Sequence, residues 1–259
     1  LYGASESGRD YNVVDMSRNR MYNGYFAPYK AAVDAGAGSV MSSFNTVDGI
    51  PATANKWLLT DVLRNEWGFD GFVVTDYNSI DEMRMHGYAD LKEASAKALI
   101  AGTDMDMVSY GYMKTLEESV KDGRISESLI DKACRRILEA KYRLGLFDNP
   151  YKYCDVLRAK TELFTPEHRQ VAREIAAKTF VLMKNKDNIL PLKGNERIAL
   201  VGPLADARNN MCGTWSMGCE TDEHISVYDG LKRAVGADVS IRYAKGSNIY
   251  YDADTEKGA

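Results

Sequence analysis

One acidic side chain, Asp76, stands where a buried strand meets a turn. The run Phe72–Thr75 is short, apolar and β-branched, which is typical of a strand covered on both faces. An ionised carboxylate directly after such a strand is unfavourable unless it caps a helix or takes part in chemistry. Catalytic residues of parallel α/β barrels lie at the carboxyl ends of strands, which favours a pocket around Asp76. A helix beginning near Ser79 would also be capped by Asp76, and the pattern alone leaves both interpretations open.

Cysteine and histidine, the usual ligands of zinc, are scattered in this sequence. The 4 cysteines form no Cys-x-x-Cys pair, and the 3 histidines lie far apart. We therefore predict no zinc site, and we expect no other metal and no cofactor. Cys212 and Cys219 flank a short segment that contains two glycines. A disulfide there would require an oxidising compartment, and free thiols are the favoured interpretation.

Alternating strand and helix patterns surround Asp76. Strands are predicted at residues 39–44, 72–75 and 103–108. Apolar residues recur at helical spacing after Asn55, a suitable helix cap, and further helical patterns follow the next strands. The predicted helices cover residues 55–67, 79–86, 91–100, 110–121 and 126–144, the last with Ser126 as its cap. Strands that alternate with helices predict βα units, a parallel sheet and an α/β fold class.

A change of pattern near residue 145 divides the chain. Residues 147–165 have no clear period and are interpreted as a linker. A second α/β unit follows, with helices at 166–178 and 225–235 and strands at 197–203 and 238–243. The predicted organisation is therefore a first domain at 1–146, a linker at 147–165 and a second domain at 166–259.

The composition limits the class of protein. The 259 residues carry 33 Lys and Arg against 37 Asp and Glu, so the chain lacks the basic excess of a general nucleic-acid-binding protein. With 45% hydrophobic and 27% charged residues, the chain is globular rather than disordered. No apolar run approaches the ~20 residues that span a bilayer. Because Leu1 is not a methionine and Ala259 closely follows a strand pattern, we expect a part of a longer protein.

An ordered series of motifs resembles glycoside hydrolase family 3 along nearly the whole chain. The stretch Trp67–Tyr77 resembles the family's nucleophile signature, in which Gly-Phe-x-Gly precedes an apolar strand ending in Ser/Thr-Asp and an aromatic residue. Other segments follow the family's order, at residues 8–12, 40–45, 48–53, 101–107, 136–147, 200–206 and 213–215. Within the family, the chain is most similar to bacterial periplasmic β-glucosidases.

This resemblance implies a fold and a reaction. Residues 1–146 would be the C-terminal part of a TIM-type (β/α) barrel, and residues 166–259 the start of an α/β sandwich domain. The implied activity is that of a retaining, exo-acting β-glycosidase, most similar to a β-glucosidase, on oligosaccharides or aryl β-glycosides. Such enzymes use two carboxyl groups about 5–5.5 Å apart. Asp76 matches the nucleophile, and the acid/base carboxyl is expected beyond Ala259, so the isolated chain is expected to be inactive. The parent protein would be periplasmic or secreted.

Four side chains are weaker candidates for substrate contacts under this resemblance. Phe44 stands where many relatives have a tyrosine, and its ring can stack on a sugar but has no hydroxyl to donate. Tyr77 either walls the sugar site or packs as a surface aromatic. Arg9 faces the pocket or, as the favoured alternative, pairs with a nearby aspartate. Met107 would rim the leaving-group site.

Three further residue types receive structural interpretations. Glu82 follows Asp76 in a helical pattern, and a solvated helix face is favoured over a catalytic role. Of Asp104 and Asp106, one is expected to face the barrel mouth and to make structural hydrogen bonds. Trp215 is expected to anchor the second domain rather than to bind sugar.

Alternative functions remain open from the sequence. Within the family, the main alternative is a β-xylosidase or another specificity. A non-catalytic carbohydrate-binding relative is a second alternative, although such a copy would tolerate loss of Asp76, which is present. An aldolase or lyase barrel would require a Schiff-base lysine or a phosphate-binding glycine loop at the strand ends, and the sequence shows neither pattern.

Overall fold

A computed structural model describes residues 4–9, 11–194, 196–213, 216–219, 221, 224–235 and 239–249. The chain divides into two compact units, Leu1–Leu163 and Phe164–Ala259. Trp215, which the sequence assigns to anchoring of the second domain, lies outside the described residues.

The first unit combines short strands with longer helices. Its strands are β1 (Ser39–Met41), β2 (Thr46–Val47), β3 (Ile50–Pro51) and β4 (Phe72–Val74). Its α-helices are α1 (Arg18–Arg20), α2 (Phe26–Asp34), α3 (Ser79–Glu82), α4 (Leu91–Ala101), α5 (Gly111–Lys121), α6 (Glu127–Arg143) and α7 (Arg158–Glu162). Two segments have π-helical winding, Met21–Tyr25 and Trp57–Glu66. Short 3₁₀ turns cover Glu6–Gly8, Ala52–Ala54 and Met83–His86.

The predicted parallel pairing is confirmed for the strands predicted at 39–44 and 72–75, which correspond to β1 and β4. β1 and β4 run parallel, with Ser39 opposite Phe72 and Met41 opposite Val74. A parallel bridge continues the series from Val74 to Met105. Because helical segments separate these three pieces of chain, the unit has the α/β character that the alternating pattern predicts.

The predicted strand at 103–108 is wrong in extent, since this segment forms only the bridge at Met105. The amides of Asp104 and Met105 both donate to the carbonyl oxygen of Val73, at 2.8 and 3.0 Å. The Asp104 carboxylate in turn accepts the Val73 amide at 2.8 Å. A side chain therefore replaces a backbone acceptor in the ladder, which ends the regular strand.

A small antiparallel hairpin forms from β2 and β3, between β1 and the helix that follows Asn55. Its two connecting residues, Asp48 and Gly49, have φ values of 54° and 78°. Two-residue hairpins with positive φ at both positions favour an Asp-Gly pair because glycine and aspartate tolerate this conformation. The hairpin leads directly into the turn that contains Thr53.

The helix Trp57–Glu66 provides much of the core behind β4. Asn55 caps its first turn as predicted, since the Asn55 Oδ1 accepts the Leu58 amide at 3.1 Å. Leu59 and Leu63 on this helix pack with Val73 in one buried cluster. Burial of each such side chain contributes about 1.5–3 kcal/mol, so the helix holds β4 firmly in place.

The side chain of Ser126, the predicted cap of α6, does not cap that helix. Ser126 does occupy the N-cap position of α6, but its hydroxyl makes no capping hydrogen bond to the helix. It contacts the hydroxyl of Ser128 at 2.9 Å instead. Two hydroxyls so close in sequence satisfy each other, which competes with the cap.

Gly71, directly before β4, lies so close to Gly38 that a side chain does not fit. A Cβ at this position would overlap the Gly38 carbonyl oxygen and lie 2.6 Å from the ring of Phe69. We therefore expect Gly71→Ala to lower the free energy of unfolding by about 1–3 kcal/mol in urea denaturation. Gly38→Ala is the matched control, because its Cβ would meet no atom within 4 Å. Equal losses in both variants would contradict this account.

The second unit is described by its own elements. These are α8 (Pro166–Thr179), β5 (Arg197–Val201), α9 (Val227–Val235) and β6 (Ser240–Ala244), with 3₁₀ turns at Lys186–Asn188 and Arg208–Asn210. β5 and β6 pair in parallel over their full length and α9 lies between them in sequence, as predicted for an α/β unit. Within the described part of both units, no helix has the length and apolarity needed to cross a bilayer.

Candidate active site

The carboxyl ends of three neighbouring chain segments form the candidate site. The Ser42 amide donates to the Val74 carbonyl oxygen at 2.9 Å, and the Thr75 amide donates to the Met105 carbonyl oxygen at 3.0 Å. Three predicted site residues lie two positions after these bonded residues, namely Phe44 after Ser42, Asp76 after Val74 and Met107 after Met105. Since parallel strands end at the same edge of a sheet, three of the predicted site residues come from one edge.

Asp76 sits in a tight turn after β4 and is half-buried. Its Oδ1 accepts the Tyr77 amide at 2.7 Å, which is a charge-assisted hydrogen bond when the carboxyl is ionised. Its backbone carbonyl oxygen accepts the Ser79 amide at 3.2 Å. The N-cap position of α3 belongs to Asn78, so the cap interpretation of Asp76 does not describe where this helix starts.

The turn around Asp76 is held by the segment that follows Met105. The Met107 amide donates to Thr75 Oγ1 at 2.9 Å, and the Asn78 amide donates to the Met107 carbonyl oxygen at 2.9 Å. Asn78 and Val108 both have left-handed backbones, with φ values of 60° and 73°. Positive φ is a strained conformation for a β-branched residue such as valine, and such strain is concentrated at functional sites.

Two aromatic rings lie at the end of β1. Phe44 is buried, and its ring stacks on Tyr11 with centroids 4.4 Å apart and an interplanar angle of 25°. Tyr11 itself is exposed and has a φ of 67°. The sequence identified Phe44 but not Tyr11, because Tyr11 lies far from Phe44 in sequence and in a segment without periodicity.

Arg9 lies on an exposed loop that is anchored beside Phe44. The side-chain amide of Asn45 donates to the Asn12 carbonyl oxygen at 2.5 Å and to Ser5 Oγ at 3.0 Å. These bonds bring the Arg9 loop to the end of β1. Contact between Arg9 and the turn around Asp76 remains a prediction.

The remaining candidates flank Asp76 along the chain. The Tyr77 side chain is 56% exposed, so its ring is available at the surface next to Asp76. Met107 is half-buried, and its backbone makes both hydrogen bonds to the turn described above. Their positions are compatible with the predicted contacts, which stay predictions.

Glu82 is closer to the site than the sequence suggested. It is half-buried rather than on a fully solvated face of α3. Burial and the nearby charge of Asp76 raise the pKa of the Glu82 carboxyl, while a hydrogen bond from Asn78 opposes this effect. Sequence analysis missed this proximity because it depends on the turn at Asn78, whose φ of 60° the residue pattern does not specify.

The two aspartates after α4 differ in environment. Asp104 is buried, and its oxygens accept hydrogen bonds from Arg64 at 2.5 Å and from Arg136 at 2.6 Å. Asp106 accepts the Tyr112 amide at 3.3 Å through Oδ2, and within the described residues its buried Oδ1 has no hydrogen-bond partner. Burial, with the charges of both aspartates, raises the pKa of the Tyr112 hydroxyl well above its usual value. Asp104 thus makes the structural bonds expected of one of the two residues.

Among the described residues, one group of side chains brings possible metal ligands together, in the second unit. Cys212, Cys219 and His224 place their ligand atoms within 4.8 Å of one another. The two cysteines are joined in a disulfide, so the expectation of free thiols is wrong. The cysteine Cα atoms lie 6.4 Å apart, and Gly218 beside Cys219 has a φ of 73°, two features that spacing alone does not reveal. Metal ligation there would require both thiols to be reduced.

Comparison with known proteins gives the arrangement a context. Residues 2–140 match the model of the glycosyl hydrolase family 3 N-terminal domain, and residues 180–256 match that of its C-terminal domain. The chain is 44% identical over 255 residues to a periplasmic β-glucosidase of Salmonella typhimurium, covering 97% of the chain and 33% of that relative. It is 38% identical to a β-xylosidase of Formosa agariphila, covering 96% of the chain and 36% of that relative.

Solved structures give a consistent result. The crystal structure of a β-glucosidase from Listeria innocua in complex with glucose superposes with a TM-score of 0.85 at 40% identity. That match covers 96% of the chain and 34% of the Listeria protein. The chain therefore spans about a third of the length of the relatives that it matches.

Proposed function

The chain belongs to glycoside hydrolase family 3, and we propose that the protein carrying it is a retaining, exo-acting β-glucosidase with Asp76 as nucleophile. The observation that carries this proposal is the position of Asp76. Its carboxylate follows the parallel strand β4 and lies in a turn held by hydrogen bonds to the Met105–Met107 segment, while the Ser42 amide holds the end of β4 from the other side. The β-glucosidases among its relatives support glucose as the sugar released.

The proposal includes a fold for the parent protein. Residues 1–146 form the C-terminal part of a TIM-type (β/α) barrel, residues 147–165 a linker, and residues 166–259 the start of an α/β sandwich domain. The parallel pairing of β1 with β4 supports the barrel, and the parallel pairing of β5 with β6 supports the sandwich. The ranges of the two family models lie on either side of the linker.

The proposed reaction is a double displacement. The Asp76 carboxylate attacks the anomeric carbon of a terminal β-glucosyl residue while a second carboxyl group protonates the departing oxygen. The resulting glycosyl ester is cleaved by a water that the same second carboxyl group deprotonates. The chain spans about a third of the length of its relatives, and the proposal, following the family resemblance, has a part of the protein beyond Ala259 supply the acid/base carboxyl.

The proposed substrate contacts follow from the strand ends. Phe44 contributes to the sugar site as one half of an aromatic pair, since its buried ring stacks on the exposed ring of Tyr11, and the exposed ring of Tyr77 walls the sugar beside the nucleophile. Arg9 reaches the pocket from its anchored loop, and Met107 rims the leaving-group side. None of these contacts requires a cofactor.

Two further aspects rest on the relatives. The periplasmic β-glucosidase among them and the Cys212–Cys219 disulfide both favour an extracytoplasmic parent protein. The β-xylosidases among the relatives make a xyloside the alternative substrate. A non-catalytic carbohydrate-binding role is disfavoured because Asp76 and its supporting turn are intact.

Covalent trapping tests the proposal directly. Incubation of the parent protein with an activated 2-deoxy-2-fluoro-β-glucoside is expected to leave one fluoroglucosyl ester, which peptide mass spectrometry maps to Asp76. The corresponding 2-fluoro-xyloside serves as the competing probe for specificity. A label on another residue would contradict the assignment of the nucleophile, and faster labelling by the xyloside would contradict the assignment of glucose.

A further inference from the structure

A chain of buried hydroxyl groups lies behind the turn that carries Asp76. The Thr53 hydroxyl oxygen is 2.9 Å from Ser42 Oγ and 2.8 Å from Ser79 Oγ. The backbone carbonyl oxygen of Thr53 accepts a hydrogen bond from Thr103 Oγ1 at 2.8 Å. Thr53 therefore connects segments that lie up to 50 positions away in sequence.

These hydroxyl groups have little access to water. Thr53 and Thr103 are fully buried, Ser79 is 3% exposed and Ser42 is 4% exposed. A buried hydroxyl without a partner is unfavourable because it has lost its hydrogen bonds to water. Because water does not reach these groups, it cannot take the place of a lost partner. The hydroxyls of Ser42, Thr53 and Ser79 therefore fix one another's positions.

Both partners of Thr53 are directly coupled to the strand and turn of Asp76. Ser79 is the first residue of α3, and its amide donates to the Asp76 carbonyl oxygen at 3.2 Å. Ser42 follows β1, and its amide donates to the Val74 carbonyl oxygen at 2.9 Å. The Thr53 hydroxyl thus joins the residue that closes the Asp76 turn to the strand end beside it.

We infer that Thr53 is a positioning residue for the nucleophile, acting through Ser79 on the turn that orients the Asp76 carboxylate. This inference rests on the proposed function, because it assigns a role in the attack of Asp76 on the anomeric carbon. A valine at position 53 keeps the shape of threonine but removes the oxygen shared by Ser42 and Ser79. The side-chain link between Ser79 on the Asp76 turn and Ser42 at the end of β1 would then be lost.

The test compares Thr53→Val with Thr53→Ser in the full-length protein. The rate constant for covalent labelling by the 2-fluoro-β-glucoside is expected to fall about 10- to 100-fold in Thr53→Val, since displacement of a reacting group by about 1 Å has effects of this size. We expect kcat to fall with little change in KM, because the sugar contacts remain. Thr53→Ser keeps the hydroxyl and is expected to restore most of the labelling rate.

Thr60→Val is the matched control. Thr60 is half-buried and donates to the Ala101 carbonyl oxygen at 2.8 Å, so the same substitution removes a comparable hydrogen bond away from the strand ends. Its labelling rate is expected to stay near that of the wild type. Labelling of Thr53→Val at the wild-type rate, or an equal loss in Thr60→Val, would overturn the inference.

A second pair of variants serves if Thr53→Val does not fold. Ser79→Ala removes the hydroxyl on the Asp76 turn, whereas Ser42→Ala removes the one directly after β1. We expect a larger loss of labelling rate in Ser79→Ala at similar thermal stability, and equal losses would overturn the role through Ser79. Failure of the wild type to be labelled at Asp76 would instead refute the proposed function, so the two failures are distinguishable.

Discussion

Asp76→Asn in the full-length protein is expected to reduce the hydrolysis of an aryl β-glucoside on the order of 10⁴-fold or more. An amide is a far weaker nucleophile than a carboxylate, and it carries no charge to stabilise the positive character that develops at the anomeric carbon. The fold should persist, because a side-chain amide oxygen can still accept the Tyr77 amide. Release of the aryl alcohol, followed by absorbance, measures the effect.

Asp70→Asn is the control for this change, because Asp70 and Asp76 stand at opposite ends of β4. The Asp70 carboxylate is 72% exposed and pairs with Arg143 at 3.0 Å on the surface, so its loss should leave turnover near the wild-type value. A second variant, Asp76→Gly, removes the whole side chain of the nucleophile and allows the reaction product to be tested. Azide should enter the vacated space and give the α-glucosyl azide. Near-normal hydrolysis by either Asp76 variant would refute the assignment of Asp76 as the nucleophile.

Asp104→Asn is expected to lower the free energy of unfolding by about 3–5 kcal/mol, because it breaks a buried ion-pair network. The Asp104 carboxylate is 1% exposed and the Arg64 side chain is 9% exposed, so the arginine would keep its charge without its partner. Burial already lowers the pKa of Arg64, and the charge of Asp104 is the main factor that opposes this effect. Urea unfolding followed by circular dichroism measures the change.

The control for Asp104 is an exposed ion pair on the same unit. Asp34 pairs with Lys30 one helical turn away and is 57% exposed. Asp34→Asn is expected to change the free energy of unfolding by less than about 1 kcal/mol, as is usual for surface pairs. A loss in Asp104→Asn no larger than that in Asp34→Asn would show that the buried network contributes little.

Local signals in the sequence predicted much of the fold. The helix around Leu59 and Leu63 and the strand at Phe72–Thr75 were predictable because periodicity, a cap and β-branched residues act over a few positions. The third strand was overpredicted because the carboxylate of Asp104, 31 positions from Val73, takes the amide that a ladder would use. No local pattern reports such a competition.

The candidate site divides in the same way. Asp76 was predictable because its type and its place after a strand are both local features. Tyr11 beside Phe44 and Thr53 between two serines were missed because their contacts join separate loops. The Cys212–Cys219 bond was missed because it depends on a turn conformation, which spacing does not specify.

The double pairing of Asp104 has a consequence for folding during synthesis. Arg64 is made before Asp104, but Arg136 follows it by 32 residues. At the usual ribosomal rate of about 5–20 residues per second, the second arginine arrives roughly 2–6 s after the aspartate. During that interval the Asp104 carboxylate behind β4 is paired with Arg64 through Oδ2, while Oδ1 still lacks its arginine, so this buried network is completed only when α6 has been made.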